Sequence, residues 1–480
     1  MIKRIAWLII AAALCTPALW AQSTDTGTAG SGTAGGGGGA AGSEDEFFGS
    51  SQVEVPQGTA EKPNVQQEIE KERVGLSGVL QATGTYNMTR NFINGTTGLS
   101  DNTLADMFQG DFLVDIRLQK SFRAFIDLNL GYVTNGAPVS HFYTLQAPYG
   151  SLLPIPNTPL IVSEDQTTLL GVKEIFVDFN IANTVYFRAG KQVLQWGTGY
   201  FWNPTDLINI EHKSFTNQTA LLQGVFGLRS DVVFSPKVHL YTFLNLDGIQ
   251  DISDAAFAAR TEFLVGTFEF GFSGWVKPYK LPVVGTDFTT PLFWNLNLTG
   301  EAAFSWGDNQ DKLDPTTITA YSVRNQVVPK VDIGLSRTFD VFDVQDRLNV
   351  MAEFFYNGDG YDQNMFQVLK GTPAALATFL GTYYHAGYYG QYYGALFITY
   401  NSFFLTNLTL MLDALANFSD GSAIPMVMLS YAPVNNFTLT FQIGGYIGAD
   451  NREYTVAFNP TTSALTNSAL FVILGATVNF

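Results

Sequence analysis

Apolar and polar side chains alternate with a period of two along most of the chain from Gly75 onward, in segments of roughly ten to fourteen residues. The stretch from Phe122 to Tyr132 is the clearest. Phe122, Ala124, Ile126, Leu128, Leu130 and Tyr132 fall on one face, and Arg123, Phe125, Asp127 and Asn129 on the other. A strand with one face in lipid and the other in a polar lumen has this pattern. Similar segments lie near 76–90, 108–120, 121–133, 168–181, 183–196, 225–235, 237–247, 257–265 and 267–277. They continue at 281–290, 295–306, 329–340, 346–357, 388–400, 404–417, 422–432, 436–448 and 467–480. That makes eighteen strands; 257–265 and 281–290 carry the weakest pattern, and without them the count is sixteen. Connections alternate too. Short ones, such as Lys120-Ser121, Ala182-Asn183 and Gly266, follow even strands, while 134–167, 197–224, 307–328 and 358–387 follow odd strands. The expected fold is an all-β, antiparallel transmembrane barrel with short turns at one rim and long loops at the other.

Composition points the same way. Only 14% of the 480 residues are charged and 14% are aromatic, too few charges for a soluble surface of this size. No apolar run after residue 22 is long enough for a membrane helix. The closed barrel is then the structure that satisfies every backbone group in lipid. Residues 1–21 read as an export leader: Lys3 and Arg4, an apolar run from Ile5 to Leu14, then Leu19-Trp20-Ala21 before a polar stretch. Cleavage after Ala21 removes Cys15, the one cysteine, and leaves no thiol for disulfide or metal chemistry. The formal charge is −17, and loss of Lys3 and Arg4 makes it −19. An acidic chain argues against nucleic acid as a partner and against an anion-selecting pore. Residues 22–74 read as a Gly/Ser-rich periplasmic linker with an acidic-aromatic patch, Glu44 to Phe48, and one short helix over 61–73. The barrel occupies 75–480.

Parity turns twelve acids inward, among them Asp115, Asp127, Glu301 and Glu353, against six arginines that include Arg117 and Arg188. A charge on the lipid face costs about 2–4 kcal/mol for a midplane Lys or Arg, so this one-sidedness is what a stable barrel needs. A net-negative interior favours cations and neutral solutes. Tyr388, Tyr392 and Tyr400 share an outward parity and read as an aromatic girdle. No catalytic set emerges: His141, His212, His239 and His385 are scattered, and an enzyme is not expected. Asp308 to Asp314 lacks the Gly and distal Glu of a calcium loop, and neither metal nor cofactor is expected for the chain.

The segment Arg188 to Asn209, RAGKQVLQWGTGYFWNPTDLIN, resembles one found in large bacterial outer-membrane porin-like barrels. There a strand ending Arg-x-Gly-Lys/Arg-Gln runs into Trp-Gly and then an aromatic-Asn-Pro-x-Asp turn. The matching positions are Arg188, Gly190, Lys191, Gln192, Trp196, Gly197, Asn203, Pro204 and Asp206. MAEFFYNGDGY at 351–361 resembles a second strand of the group. The terminal run Leu470, Val472, Leu474, Ala476, Val478 and Phe480 resembles the C-terminal strand that the barrel-assembly machinery reads. The resemblance implies a bacterial outer-membrane porin in contact with lipid, passing small solutes, with a homotrimer as one assembly open to it. It also implies that the third long loop bends inward as a constriction lined by Arg188, Gln192, Trp196, Tyr200, Trp202 and Asp206. A structural or adhesive surface barrel and a transporter of hydrophobic compounds are the competing expectations.

Overall fold

The computed structural model describes residues 73–95, 103–119, 122–133, 161–162, 168–181, 184–194, 196–206, 208, 224–249, 251–459 and 464–480. The leader at 1–21 and the linker and helix expected within 22–74, save Arg73 and Val74, lie outside them. Arg73 itself already belongs to a strand.

Runs rich in β-branched and aromatic residues pair here as one antiparallel sheet. Its first six long strands are β1 (Arg73–Thr89), β2 (Thr103–Gln119), β3 (Phe122–Val133), β4 (Thr168–Ile181), β5 (Val185–Gln192) and β6 (Val225–Ser235). There follow β7 (Val238–Asn245), β8 (Ala256–Val265), β9 (Phe268–Val276), β10 (Val283–Pro291), β11 (Leu296–Gly307) and β12 (Arg324–Val341). The last six are β13 (Val344–Asn357), β14 (Tyr392–Tyr400), β15 (Leu408–Asn417), β16 (Ser422–Val434), β17 (Phe437–Gly445) and β18 (Ala464–Asn479). The sheet holds twenty strands; setting aside the short pieces Ile161–Val162 and Val456–Asn459 leaves eighteen. Both weakly patterned segments, at 257–265 and 281–290, are true strands, which decides eighteen over sixteen.

Each strand pairs with the next in sequence, and β18 returns to β1 from Val79↔Asn479 upward. At the seam the Gly78 amide donates to the Phe480 carbonyl at 2.8 Å, and the Phe480 amide donates to Gly78 at 3.0 Å. The barrel therefore has no free edge. Its outward face is apolar: Phe108 and Phe112 on β2, Leu130 and Tyr132 on β3, Ile333 and Leu335 on β12, Phe441 and Ile443 on β17 are all exposed. On β3 the alternation is as read, with Arg123, Phe125 and Asp127 buried inside and Phe122, Leu130 and Tyr132 exposed outside. A largely apolar outer face over a charged interior is what a bilayer demands of a barrel.

Several strands are shorter than expected, and two of these differences shape the interior. β5 ends at Gln192 rather than 196. β14 begins at Tyr392 rather than 388. Tyr388 is accordingly no part of a girdle. It turns inward, where its ring meets Phe355 edge-on at 5.3 Å.

Candidate functional site

Beyond Gln192 the chain turns into the barrel, because its large apolar side chains find cover only there. Leu194, Trp196 and Ile208 bury against Val225 of β6, Tyr241 and Phe243 of β7, and Ala258 of β8. Glu301 of β11 then takes the next stretch. Its carboxylate accepts the amides of Thr198 at 3.0 Å, Gly199 at 3.2 Å and Thr205 at 2.6 Å, and the Thr205 hydroxyl as well. Gly197 makes this approach possible: it sits at φ +94°, and a Cβ there would meet the Glu301 carboxylate at 2.4 Å. One strand pair farther on, Glu353 of β13 accepts the amides of Tyr200 and Phe201, the latter at 2.8 Å. Charged acceptors make these hydrogen bonds roughly twice as strong as neutral ones.

Trp202 is the most enclosed aromatic ring of the loop. It has no exposed surface, stacks on Phe355 at 5.5 Å and 15°, lies against Tyr393, and donates its indole N–H to the Gly387 carbonyl at 3.0 Å. Tyr200 meets Phe397 edge-on at 4.9 Å. The Asn203-Pro204-Thr205-Asp206 turn closes when the Asp206 amide donates to the Asn203 carbonyl at 3.1 Å. The described part of the loop thus follows the inner wall from β6 round to β14.

The remaining expected site residues lie on β2 to β5. Arg188 is fully buried and grips Asp178 with two hydrogen bonds, at 2.7 and 3.0 Å, while its guanidinium lies 3.9 Å from the centre of the Phe176 ring. Asp178 also pairs with Arg123 at 3.6 Å, Arg123 with Asp115 at 2.8 Å, and Asp115 with Arg117 at 3.2 Å. Of these groups Asp115 and Arg117 keep about a fifth of their side chains exposed, at 20% and 21%. Asp127 is buried opposite Glu174. Gln192 is buried too and donates to the Arg188 and Gly227 carbonyls.

All eleven expected wall and loop residues belong to one barrel interior, but in two groups: Asp115, Arg117, Asp127, Arg188 and Gln192 on one arc, the loop with Glu301 and Glu353 on another. Glu301 and Glu353 were grouped with pore-lining charges by parity. At 3% and 5% exposure they hold the loop instead.

Sequence reading missed Lys173, which pairs with Asp111 at 2.9 Å. The register slips between Asp127 and Leu128, so that Lys173 is bulged and neighbouring Lys173 and Glu174 are both buried. A strict period of two cannot report a bulge.

The loop after β13 builds a cap with its own core. Met365, Phe366, Leu369, Leu376, Phe379, Tyr384 and Tyr389 pack together around two short helices, Met365–Leu369 and Pro373–Thr378. Glu453, from the connection between β17 and β18, pins it. This buried carboxylate accepts the Gly387 amide at 3.0 Å, the Tyr393 hydroxyl at 2.9 Å and the Asn417 amide at 2.7 Å. Burial pushes its pKa up to about 8, with the charge of Asp420 adding to the shift and the hydrogen bonds opposing it. A carboxyl whose pKa is raised on folding stabilises the closed cap fully below its ordinary value of 4.5 and loses that contribution as pH rises through about 8. Tryptic cleavage after the exposed Lys370 is therefore expected to be faster at pH 9 than at pH 7, after correction for trypsin's own pH profile. Glu453→Gln should abolish the difference, and an unchanged difference would remove Glu453 from the account.

No protein family and no curated protein sequence matches the chain. Among solved structures, Pseudomonas aeruginosa OccK8 (OprE) superposes with a TM-score of 0.51 at 8% identity, over 85% of this chain and 98% of that one. Acinetobacter baumannii OccAB3 gives 0.49 at 11% identity, over 85% and 99%. The fold is that of the Occ porins. It is a closed, eighteen-stranded antiparallel barrel.

Proposed function

We propose that the chain is a passive channel of a bacterial outer membrane for small hydrophilic solutes, neutral or cationic, with the loop after β5 narrowing the pore. The observation that carries this reading is the course of that loop. A closed barrel of eighteen strands encloses more interior than its own side chains fill, and the segment from Leu194 to Ile208 lies inside it, held by Glu301 and Glu353. Asp115 and Arg117, the partly exposed members of the charged arc of β2 to β5, then offer water and ions a polar lining. Acids outnumber bases on the inward face, which raises the local concentration of cations. In the same reading residues 1–21 direct export, and the terminal strand ending in Phe480 is the handle for barrel assembly.

The test is electrical. Purified full-length protein in a planar bilayer is expected to give discrete open-channel steps, and a KCl gradient should give a reversal potential of the sign set by K⁺. Absence of steps at every voltage would overturn the channel and favour a structural or adhesive surface barrel. Steps with the opposite sign would overturn the selectivity.

A further inference from the structure

Arg337 faces away from the lumen. On β12 Asp332 is buried inside, whereas Ile333 and Leu335 are exposed outside. The pairing of β12 with β11 and β13 runs without a register slip from Asp332 to Arg337, so Arg337 shares the outward side of Ile333 and Leu335. Its direct neighbours on the adjacent strands are Leu296 and Val350. The guanidinium lies 4.4 Å from the centre of the Phe339 ring, two residues on along the same face. Its Nε is covered and has no hydrogen-bond partner. Among the described residues no carboxylate forms an ion pair with it, although Asp340, Asp343 and Asp346 surround the turn that follows.

The position along the strand fixes the depth. Arg337 stands four residues before the end of β12 at Val341. At about 3.3 Å per residue and a tilt near 40°, that is about 10 Å from the short turn. The turns beside it carry exposed rings: Phe342 between β12 and β13, and Phe293 and Trp294 between β10 and β11. Trp294 at φ 61° and Phe342 at φ 51° hold a left-handed backbone that Asn or Gly adopts at less cost. Exposed rings kept at such positions fit a rim that lies in the lipid interface, where aromatic side chains gather. A cation on the lipid face is costly at the midplane and nearly free at this level. Short turns form the periplasmic rim, so the leaflet is the inner one.

An arginine that snorkels carries its head out to water. Here the Nε edge is covered and the guanidinium is held over Phe339, so the group waits for an acceptor that arrives from the lipid side. The planar fork of a guanidinium takes two phosphate oxygens at once. We propose that Arg337 binds the phosphodiester of an inner-leaflet phospholipid, whose acyl chains run along Ile333 and Leu335 while Trp294 and Phe342 keep the rim at headgroup depth. The site rests on the barrel's place in the outer membrane and not on whether the pore conducts.

The test reads lipid binding by the full chain. Protein purified in detergent is titrated with dioleoylphosphatidylglycerol, or with dioleoylglycerol, which has the same chains and no phosphate, and bound lipid is counted by native mass spectrometry. Saturable retention of the phospholipid but not of dioleoylglycerol is expected, and millimolar inorganic phosphate should not displace it. Arg337→Gln should weaken retention at least about tenfold, and Arg337→Lys should restore part of it. Heat-modifiable mobility on a gel verifies that each variant is folded. Equal retention by Arg337→Gln, or of dioleoylglycerol by the wild type, would overturn the site, because the phosphate would then not be read by this residue. Displacement by inorganic phosphate would overturn the lipid and leave a site for a free anion.

Discussion

Glu301→Ala is expected to release the loop after β5 and to raise single-channel conductance by roughly twofold or more, while the barrel stays folded. The substitution strands four donors at once: the amides of Thr198, Gly199 and Thr205, and the Thr205 hydroxyl. A buried donor left without a partner costs about 1–3 kcal/mol. The four share one acceptor, so their costs do not add simply. Even a fraction of the total is a large loss for a docked segment, which is expected to swing into lumen water and solvate its amides there. The strands lose nothing comparable, because β11 keeps its full ladder with β10 and β12. Glu301→Gln is the sharper variant: it keeps one acceptor oxygen but turns an NH₂ group toward donors, so it should fall between wild type and alanine. Conductance identical to wild type in Glu301→Ala would show that the loop is held by its apolar contacts alone.

Trp202→Ala is expected to destabilise the docked loop by about 3–5 kcal/mol, the usual range for deleting a buried Trp side chain. Here the indole is fully covered, stacked on Phe355 and hydrogen-bonded to Gly387. Because Trp202 touches packing rather than lumen water, the expected electrical signature is instability rather than a new fixed size: noisy, flickering steps between the wild-type level and a larger one. The gel mobility of the folded barrel should persist. The effect should also reach the cap, since Gly387 links Trp202 to Glu453, and cleavage after Lys370 should accelerate at neutral pH. A clean, steady increase in conductance would point instead to direct narrowing of the pore by the indole.

Much of the fold was legible because lipid enforces it. Every residue of a membrane strand faces either hydrocarbon or lumen, so the period of two persists for as long as the strand does. Asp127 falls inside and Leu128 outside with no tertiary information. The legibility ended where that constraint ends. Tyr388 has the parity of an outward girdle residue, but four residues before the true start of β14 parity means nothing, and Phe355 claims the ring. Lys173 was lost to a bulge. Trp196, Trp202 and the Asn-Pro-x-Asp turn stood out in the chain as an unusual aromatic run, yet no local signal told which wall would receive them.

The chain alone, then, determined a closed barrel of about eighteen strands, an apolar exterior, a charged interior and an irregular segment after the fifth strand. Those follow from alternation and composition, which act residue by residue. Only the tertiary structure decided that Glu301 and Glu353, roughly a hundred and a hundred and fifty positions from the loop they hold, serve as its anchors, and that Asp332 between them has no hydrogen-bond partner among the described residues. A buried carboxylate and a lumen carboxylate share the same parity. What separates them is whether backbone amides from a distant segment arrive to satisfy them, and that depends on closure of the whole barrel.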